Sequence, residues 1–409
     1  MNPKMRLIVN AIPLTYVHTG IARYLRSLYT EMERKHSSEL EIWYFDGKSI
    51  SQSMPQGPNR LDQWSRLADM FWKLPWPAAL ALRLALHFRT EHKFYKQAQG
   101  FDVYHEAGFF PLKTPPGVRT VFTVHDMSLF RFPQHHPRER VVFHKLFWKK
   151  RSHQVDQFLA VSEFTKHELQ IYLRSGQNAI TVAPLAHDPD IFYPRSEIRV
   201  QAFIQEQSLP QTYFLFVGSG DPRKNMHCIP QSLQAAGLDI PLVVAGWSGW
   251  SKNQLPENVH LTGYVTDQEL ALLYSGAIAL VFPSTYEGFG LPVLEAMACR
   301  CPVVTTKEAS LPEVAGDAAL YVQDPLDPLE LGMLLKDLAV DGAKRRGLSD
   351  RGLGRVAGFS WERTAQITFR AMQEMYEVYI TKKIYPTGHQ ENEEYTPTEH
   401  SEYTKQRVV

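Results

Sequence analysis

Short apolar runs rich in β-branched residues alternate with helical stretches along this chain, and the alternation breaks once and then starts again. The first series of strand-like runs lies at 5–12, 40–45, 103–105, 120–125, 157–161 and 179–183, and the second at 212–217, 241–245, 259–262, 277–282, 302–304 and 319–322. Helical patterns at 21–32, 61–98, 136–152 and after Ser162 separate the first set, and patterns at 225–236, 267–275, 293–299 and 327–340 separate the second. Strands joined by helices pair in parallel, so the chain predicts two doubly wound α/β units. Its 409 residues exceed what one core usually holds. The break falls at 186–205, where Asp188-Pro189-Asp190 and Tyr193-Pro194 are expected to interrupt any element. Residues 46–60, rich in Ser, Gln, Pro and Gly, read as a mobile loop. Ser-Trp-Glu-Arg from Ser360 reads as the cap of a last helix reaching about Lys382, and 385–409 has no period and is expected to be disordered.

The stretch 281–304 carries the most chemistry. An apolar run ends at Pro283-Ser284, a loop holds Glu287, Gly288 and Gly290, and Pro292 opens a helix-forming segment. A helix start offers unpaired backbone N–H groups and a positive dipole, which suit an anion. Glu287 and Glu295 flank that loop with seven residues between them. Carboxylates repel phosphate but accept hydrogen bonds from sugar hydroxyls. A diphosphate flanked by sugars describes a nucleotide sugar. Read alone, Glu287 suits any helix start, but Glu295 between Leu294 and Ala296 is an odd place for an unpartnered carboxylate.

A second strand, Tyr213–Val217, runs into Gly218-Ser219-Gly220-Asp221-Pro222-Arg223-Lys224-Asn225. It begins like a dinucleotide fingerprint, but Arg223 stands where the third glycine would allow close helix packing, which disfavours a dinucleotide. Arg and Lys after a glycine turn suit a diphosphate instead, one as a fork and one as a point charge.

The Glu-x7-Glu spacing resembles that of retaining glycosyltransferases of the GT-B fold, family 4 type. Thr19-Gly20-Ile21-Ala22-Arg23-Tyr24, Thr123–Asp126, Ala160–Thr165, Phe216–Asn225 and Leu311–Ala319 resemble further blocks of that family, in its order. The resemblance implies two Rossmann-like domains facing a cleft: 1–195 on the acceptor side, 196–358 binding the donor, 359–383 a helix crossing back, and 384–409 a tail. It implies that Arg223 and Lys224 stabilise the leaving diphosphate. Glu295 would hold the ribose, Glu287 a donor-sugar hydroxyl, and the backbone of Gly288, Phe289, Gly290 and Leu291 the sugar and phosphates. Gly218 and Gly20 would approach the donor, and His125 would contact the transferred sugar. His125 also ends a strand, where ligands bind parallel sheets, though a structural histidine fits that position equally. Asp126 is expected to fix this His or its loop. Ala22 and Arg300 stand where the family often has glycine.

Asp188-Pro189-Asp190 looks like a metal-binding Asp-x-Asp, but turn chemistry explains it, and no metal ion or other cofactor is expected. Cys299-Arg300-Cys301 lacks the partners of a zinc site, and with Cys228 these read as buried reduced thiols. Residues 1–200 hold 27 Lys and Arg against 18 Asp and Glu, and residues 201–409 hold 17 against 25. The basic half suits an anionic acceptor or surface, or is simply a solvated face. Lys4, Arg6 and the following run read as a first strand rather than a leader, and Leu74–Leu82 is too short to span a bilayer. The expectation is a cytoplasmic protein, with peripheral contact at the inner membrane face as a further reading. Trp64, Phe71, Trp72 and Trp76 fit a core, or a membrane-surface helix pair.

The expected activity is transfer of a hexose, with mannose favoured by resemblance to the mannosyltransferases of polysaccharide and O-antigen assembly. The donor would be a GDP- or UDP-sugar, the acceptor a saccharide or lipid-linked saccharide, and no nucleic acid is involved. The alternatives are a sugar-nucleotide epimerase or hydrolase on the same fold, or a non-catalytic sugar-nucleotide-binding subunit.

Overall fold

The computed structural model describes residues 4–15, 20–57, 74–173, 179–246 and 256–384. Trp64, Phe71, Trp72 and the tail 385–409 lie outside them.

The first sheet has β1 (Met5–Asn10), β2 (Leu40–Phe45), β3 (Ile50–Ser51), β4 (Val103–Glu106), β5 (Arg119–Val124), β6 (Gln157–Ala160) and β7 (Ala179–Val182), in the order β3-β2-β1-β4-β5-β6-β7. All pairings are parallel except that of the edge strand β3 with β2. Its helices are α1 (Gly20–His36), α2 (Trp76–Gln97), α3 (Ser128–Arg131), α4 (Arg138–Ser152) and α5 (Glu163–Leu173). In α1 the positions Ala22, Leu25, Leu28, Tyr29 and Met32 repeat at helical spacing and are all buried. Each large apolar side chain so buried contributes roughly 1.5–3 kcal/mol, and this packing rather than propensity fixes the helix.

After α6 (Glu197–Glu206) the second sheet begins. It has β8 (Phe214–Val217), β9 (Leu242–Ala245), β10 (Val259–Gly263), β11 (Leu280–Phe282), β12 (Val303–Thr306) and β13 (Leu320–Val322), all parallel, in the order β10-β9-β8-β11-β12-β13. Its helices are α7 (Cys228–Ala235), α8 (Asp267–Gly276), α9 (Leu291–Ala298), α10 (Leu311–Ala315), α11 (Pro328–Val340) and α12 (Gly342–Val356). The expectation of two doubly wound units holds. Strand order reverses between β8 and β11, so the loops after them open at a topological switch point, where such sheets bind ligands. The last helix, α13 (Trp361–Ile384), packs on α1, β6 and β7 of the first sheet. Arg363 N–H donates to the Ser360 hydroxyl at 3.2 Å, so the cap read there is real.

Three expectations are corrected. The break at 186–205 contains α6, because Val200, Phe203 and Ile204 share one buried face. The Asp188 carboxylate does form the expected turn, accepting the Asp190 N–H at 3.0 Å. The helix read at 225–236 starts later, as α7, because Asn225 is left-handed with φ +49° and separates it from a 3-10 turn at Pro222–Lys224. The loop 46–60 contains β3, whose short antiparallel pairing follows a turn built on the Asp46 side chain. The three cysteines are free and buried, and burial pushes the thiols of Cys228 and Cys299 up to about 12.

Candidate functional site

The loops after β8 and β11 carry most of the predicted donor residues and are stitched together. The Thr285 N–H donates to the Arg223 carbonyl at 2.8 Å, and the Thr285 hydroxyl reaches the same oxygen at 3.1 Å. The Ser310 hydroxyl stands 2.9 Å from the carbonyl oxygens of both Glu287 and Phe289 and shares its proton between them. The Thr306 hydroxyl holds the Ser284 carbonyl at 2.6 Å. The loop is therefore preorganised by side chains that contribute no charge.

Every predicted ion of this site has a partner. Lys224 Nζ donates to Glu287 Oε1 at 2.8 Å, and the Ser284 hydroxyl to the same oxygen at 2.9 Å. The Arg223 guanidinium lies along Asp221, with Nε 3.1 Å from Oδ1. Burial works against the Arg223 charge, but Asp221, Asp126 and Glu287 outweigh it and hold its pKa above the ordinary value. By contrast, the N–H groups of Gly288, Phe289, Gly290 and Leu291 find no acceptor among the described residues. They form a bare donor cluster at the start of α9, where Gly290 takes φ +105°, a left-handed conformation that suits glycine. Gly218 follows β8, and its N–H donates to the Ala245 carbonyl at 3.0 Å.

Glu295, inside α9, is only 2% exposed. The Tyr274 hydroxyl donates to its Oε2 at 3.3 Å, and Arg23 Nη1 donates to Oε1. Burial pushes the Glu295 carboxyl up to about 7, and Arg23 acts in the opposite direction.

The first half faces this loop directly. Gly288 lies against the His125 carbonyl, and its own carbonyl accepts the hydroxyls of Ser162 at 2.7 Å and Thr165 at 3.0 Å. The Glu313 carboxylate of α10 accepts the N–H groups of Glu163 at 2.8 Å and Phe164 at 2.6 Å, capping α5 from the opposite half. The Tyr286 hydroxyl accepts the Met127 N–H at 2.9 Å and donates to Glu168.

His125 closes β5 with its ring edge-on to Tyr24, centroids 4.9 Å apart. Burial lowers its pKa to about 4, so the ring is neutral near pH 7, and Nε2 finds no partner among the described residues. A cavity of about 210 Å³ opens beside it, lined among others by Asp126, His136, Arg140, Trp148 and Arg223. Asp126 accepts the Ser128 N–H at 2.8 Å and so fixes the loop. Gly20 opens α1, and a side chain there would meet open space. Ala22 is packed in the core.

The structure thus brings together Gly218, Arg223, Lys224, Glu287, Gly288, Phe289, Gly290, Leu291 and Glu295 in one unit, with His125 against it. Sequence reasoning passed over Arg23, Asp221, Asp267, Tyr286 and Glu313. Arg23 lay inside a quoted block, and its position one turn into α1 was the available signal.

Comparison with known proteins identifies the family and the fold. Residues 198–353 match the family described as glycosyl transferases group 1, and residues 18–191 match glycosyltransferase family 4. The O-antigen chain mannosyltransferase B of Escherichia coli is 33% identical over 90% of this chain and 99% of that protein. The O-antigen chain mannosyltransferase RfbU of Salmonella typhimurium is 26% identical over 77% of this chain and 86% of that one. Among solved structures, a sucrose-phosphate synthase from Thermosynechococcus elongatus superposes with a TM-score of 0.67 at 18% identity, covering 92% of this chain and 100% of that one. WaaG, a glycosyltransferase involved in lipopolysaccharide biosynthesis, gives 0.62 at 15%, covering 91% and 99%. The fold is GT-B. Among the described residues no helix is long and apolar enough to cross a membrane.

Proposed function

The chain belongs to the group 1 glycosyltransferases, and from that premise we propose that it moves a hexose, mannose before others, from a nucleoside diphosphate sugar to a hydroxyl of a saccharide or lipid-linked saccharide, with retained configuration and without a metal ion. Residues 196–358 grip the donor and 1–195 present the acceptor. One observation carries the reading: the Arg223–Lys224 turn is stitched to a loop whose N–H groups at Gly288, Phe289, Gly290 and Leu291 lack acceptors among the described residues.

A diphosphate placed there receives a fork, a point charge and a helix start, which together offset the charge that grows as the glycosidic bond breaks. Donor binding frees Lys224 from Glu287, which then accepts a hydroxyl of the sugar, while Glu295 accepts the ribose hydroxyls. The acceptor hydroxyl attacks from the face the diphosphate leaves and passes its proton to the departing phosphate oxygen, and the cavity beside His125 holds the acceptor sugar. Neutral His125, whose Nε2 has no partner among the described residues, contacts the transferred sugar rather than carrying charge. The names of similar proteins support mannose and O-antigen assembly, and a structural neighbour solved with UDP and glucose supports a nucleotide-sugar donor.

We also read α2 as a membrane-facing element. Leu82, Leu86 and Arg89 are exposed on one face of it, in the more basic half of the chain. That suits an anionic bilayer presenting a lipid-linked acceptor to a cytoplasmic enzyme.

The test is saturation-transfer NMR with GDP-mannose, UDP-glucose, GDP and UDP in the presence of EDTA, followed by product analysis. Binding and an axial anomeric product from an axial donor are expected. Failure to bind any of the four would end the reading, and donor turnover to an epimer without acceptor would replace it.

A further inference from the structure

Arg23 comes from the first turn of α1 and reaches across to the second half. One amino nitrogen of its guanidinium meets Glu295 of α9, and the other meets Asp267 at the start of α8. The Phe192 ring lies 5.7 Å from the guanidinium carbon. The fork is therefore held at both tips and backed on a face, which fixes its plane.

Glu295 needs that cation. A carboxylate 2% exposed is costly to keep charged, and the other titratable groups facing it do not relieve the cost. Asp267 and Tyr274 from α8 and Cys299, the residue after α9, bring no positive charge. Burial alone would leave the carboxyl protonated near pH 7, and Arg23 is the group that pulls it back. A carboxylate offers roughly four acceptor sites. Arg23 and Tyr274 engage one site on each oxygen, which leaves one further acceptor site on each for a sugar hydroxyl.

We infer that Arg23 is a positioning residue for donor binding: reaching over from the opposite half, it aims Glu295 and pairs its negative form, so that a ribose diol is gripped only when the two halves are closed. The inference rests on the reading of Glu295 as the ribose acceptor. Closure and donor affinity are thereby coupled through one guanidinium, because the half that presents the acceptor also completes the donor site.

Calorimetric titration of GDP-mannose and UDP-glucose into wild type, Arg23→Gln, Arg23→Lys, Asp267→Asn and Glu295→Gln, between about pH 6.5 and 9, tests it. Arg23→Gln is expected to weaken the bound nucleotide sugar about tenfold or more near neutrality. That loss shrinks as rising pH removes the proton Arg23 would have kept off, and Arg23→Lys recovers most of the affinity. If Arg23→Gln does not fold, Asp267→Asn frees one tip of the fork and should show a smaller loss without the pH trend, because the Asp267 charge opposes ionisation of Glu295, and unchanged binding there overturns the inference. Unchanged or tighter binding by Arg23→Gln, or a loss of equal size at every pH, overturns the inference. Unchanged binding by Glu295→Gln instead sinks the ribose reading, and a wild type that binds neither nucleotide sugar removes both. Weak binding by Glu295→Gln beside normal binding by Arg23→Gln removes the inference alone.

Discussion

The Cα of Gly288 lies so close to the backbone carbonyl of His125 that a methyl group added there would land on the carbonyl oxygen and its carbon. This is backbone against backbone, with no flexible tip to move aside. The two residues belong to opposite halves, so the contact sets how nearly the donor loop approaches the end of β5. Gly288→Ala should therefore prop the halves apart while leaving each core intact. We expect kcat to fall on the order of 100-fold, the cost of misplacing reacting groups by about 1 Å. Solution scattering should show a larger radius of gyration at unchanged far-ultraviolet circular dichroism. An alanine variant with wild-type turnover would show that this approach is dispensable.

Arg223 tests the charge rather than the shape. Among the described residues its guanidinium is ion-paired with its near neighbour Asp221 alone, whose carboxylate also accepts the Arg223 N–H at 3.0 Å, a bond that survives side-chain truncation. Arg223→Ala should keep its melting temperature within a few degrees and lose about 100- to 1000-fold in kcat, as expected when a preorganised charge at a leaving group is removed. Turnover within a few fold of wild type would remove Arg223 from the reaction.

The strand, loop and helix around 281–298 were legible because every step has a local cause: an apolar run, then Pro and Gly, then a proline in the first helical turn. Glu295 stood out for the same reason, as a charge inside an apolar helix. Its partner did not, because Arg23 lies 272 residues away and only the packing of two halves brings them together. Helix α12 was missed for a local reason. Its four glycines, at 342, 347, 352 and 354, erase the helical signal, and what sustains it is the Asp341 side chain accepting the Lys344 N–H at 2.8 Å together with buried Leu348 and Val356. His125 was placed correctly at a strand end, but only the fold shows that its imidazole is buried and neutral.

Arg300 had no account in the sequence and has one in the backbone. It follows α9 with φ +61°, a left-handed position that costs a residue bearing Cβ about 1–2 kcal/mol and costs glycine little. Its side chain recovers little of this, since its pair with Asp350 at 2.6 Å is largely exposed. Arg300→Gly should raise stability by about 0.5–1 kcal/mol in urea denaturation, with unchanged kinetics. Destabilisation would mean that the Asp350 pair outweighs the strain.

The α2 face makes a separate prediction. Leu82→Ser with Leu86→Ser changes two exposed side chains on one helical face, so folding stability should stay within about 0.5 kcal/mol. Cosedimentation with vesicles containing phosphatidylglycerol should fall several-fold, while activity on a water-soluble acceptor is unchanged. Equal sedimentation of variant and wild type would remove the membrane reading and leave the transferase reading untouched.

Glu295 makes stability depend on pH with a definite sign. Its carboxyl stands at about 7 in the fold, with burial as the main cause, against roughly 4.3 in an unfolded chain. The folded state therefore holds this proton more tightly than the unfolded state. The associated stability is complete below about pH 4.3 and is lost as pH rises through about 7. Replacement by Gln removes the titration but keeps the shape. The difference in unfolding free energy between Glu295→Gln and wild type should consequently shift in favour of the variant from about pH 5 to about pH 8, as read from urea denaturation at both. A shift in the opposite direction would mean that Arg23 dominates over burial and that the carboxylate is held ionised throughout that range.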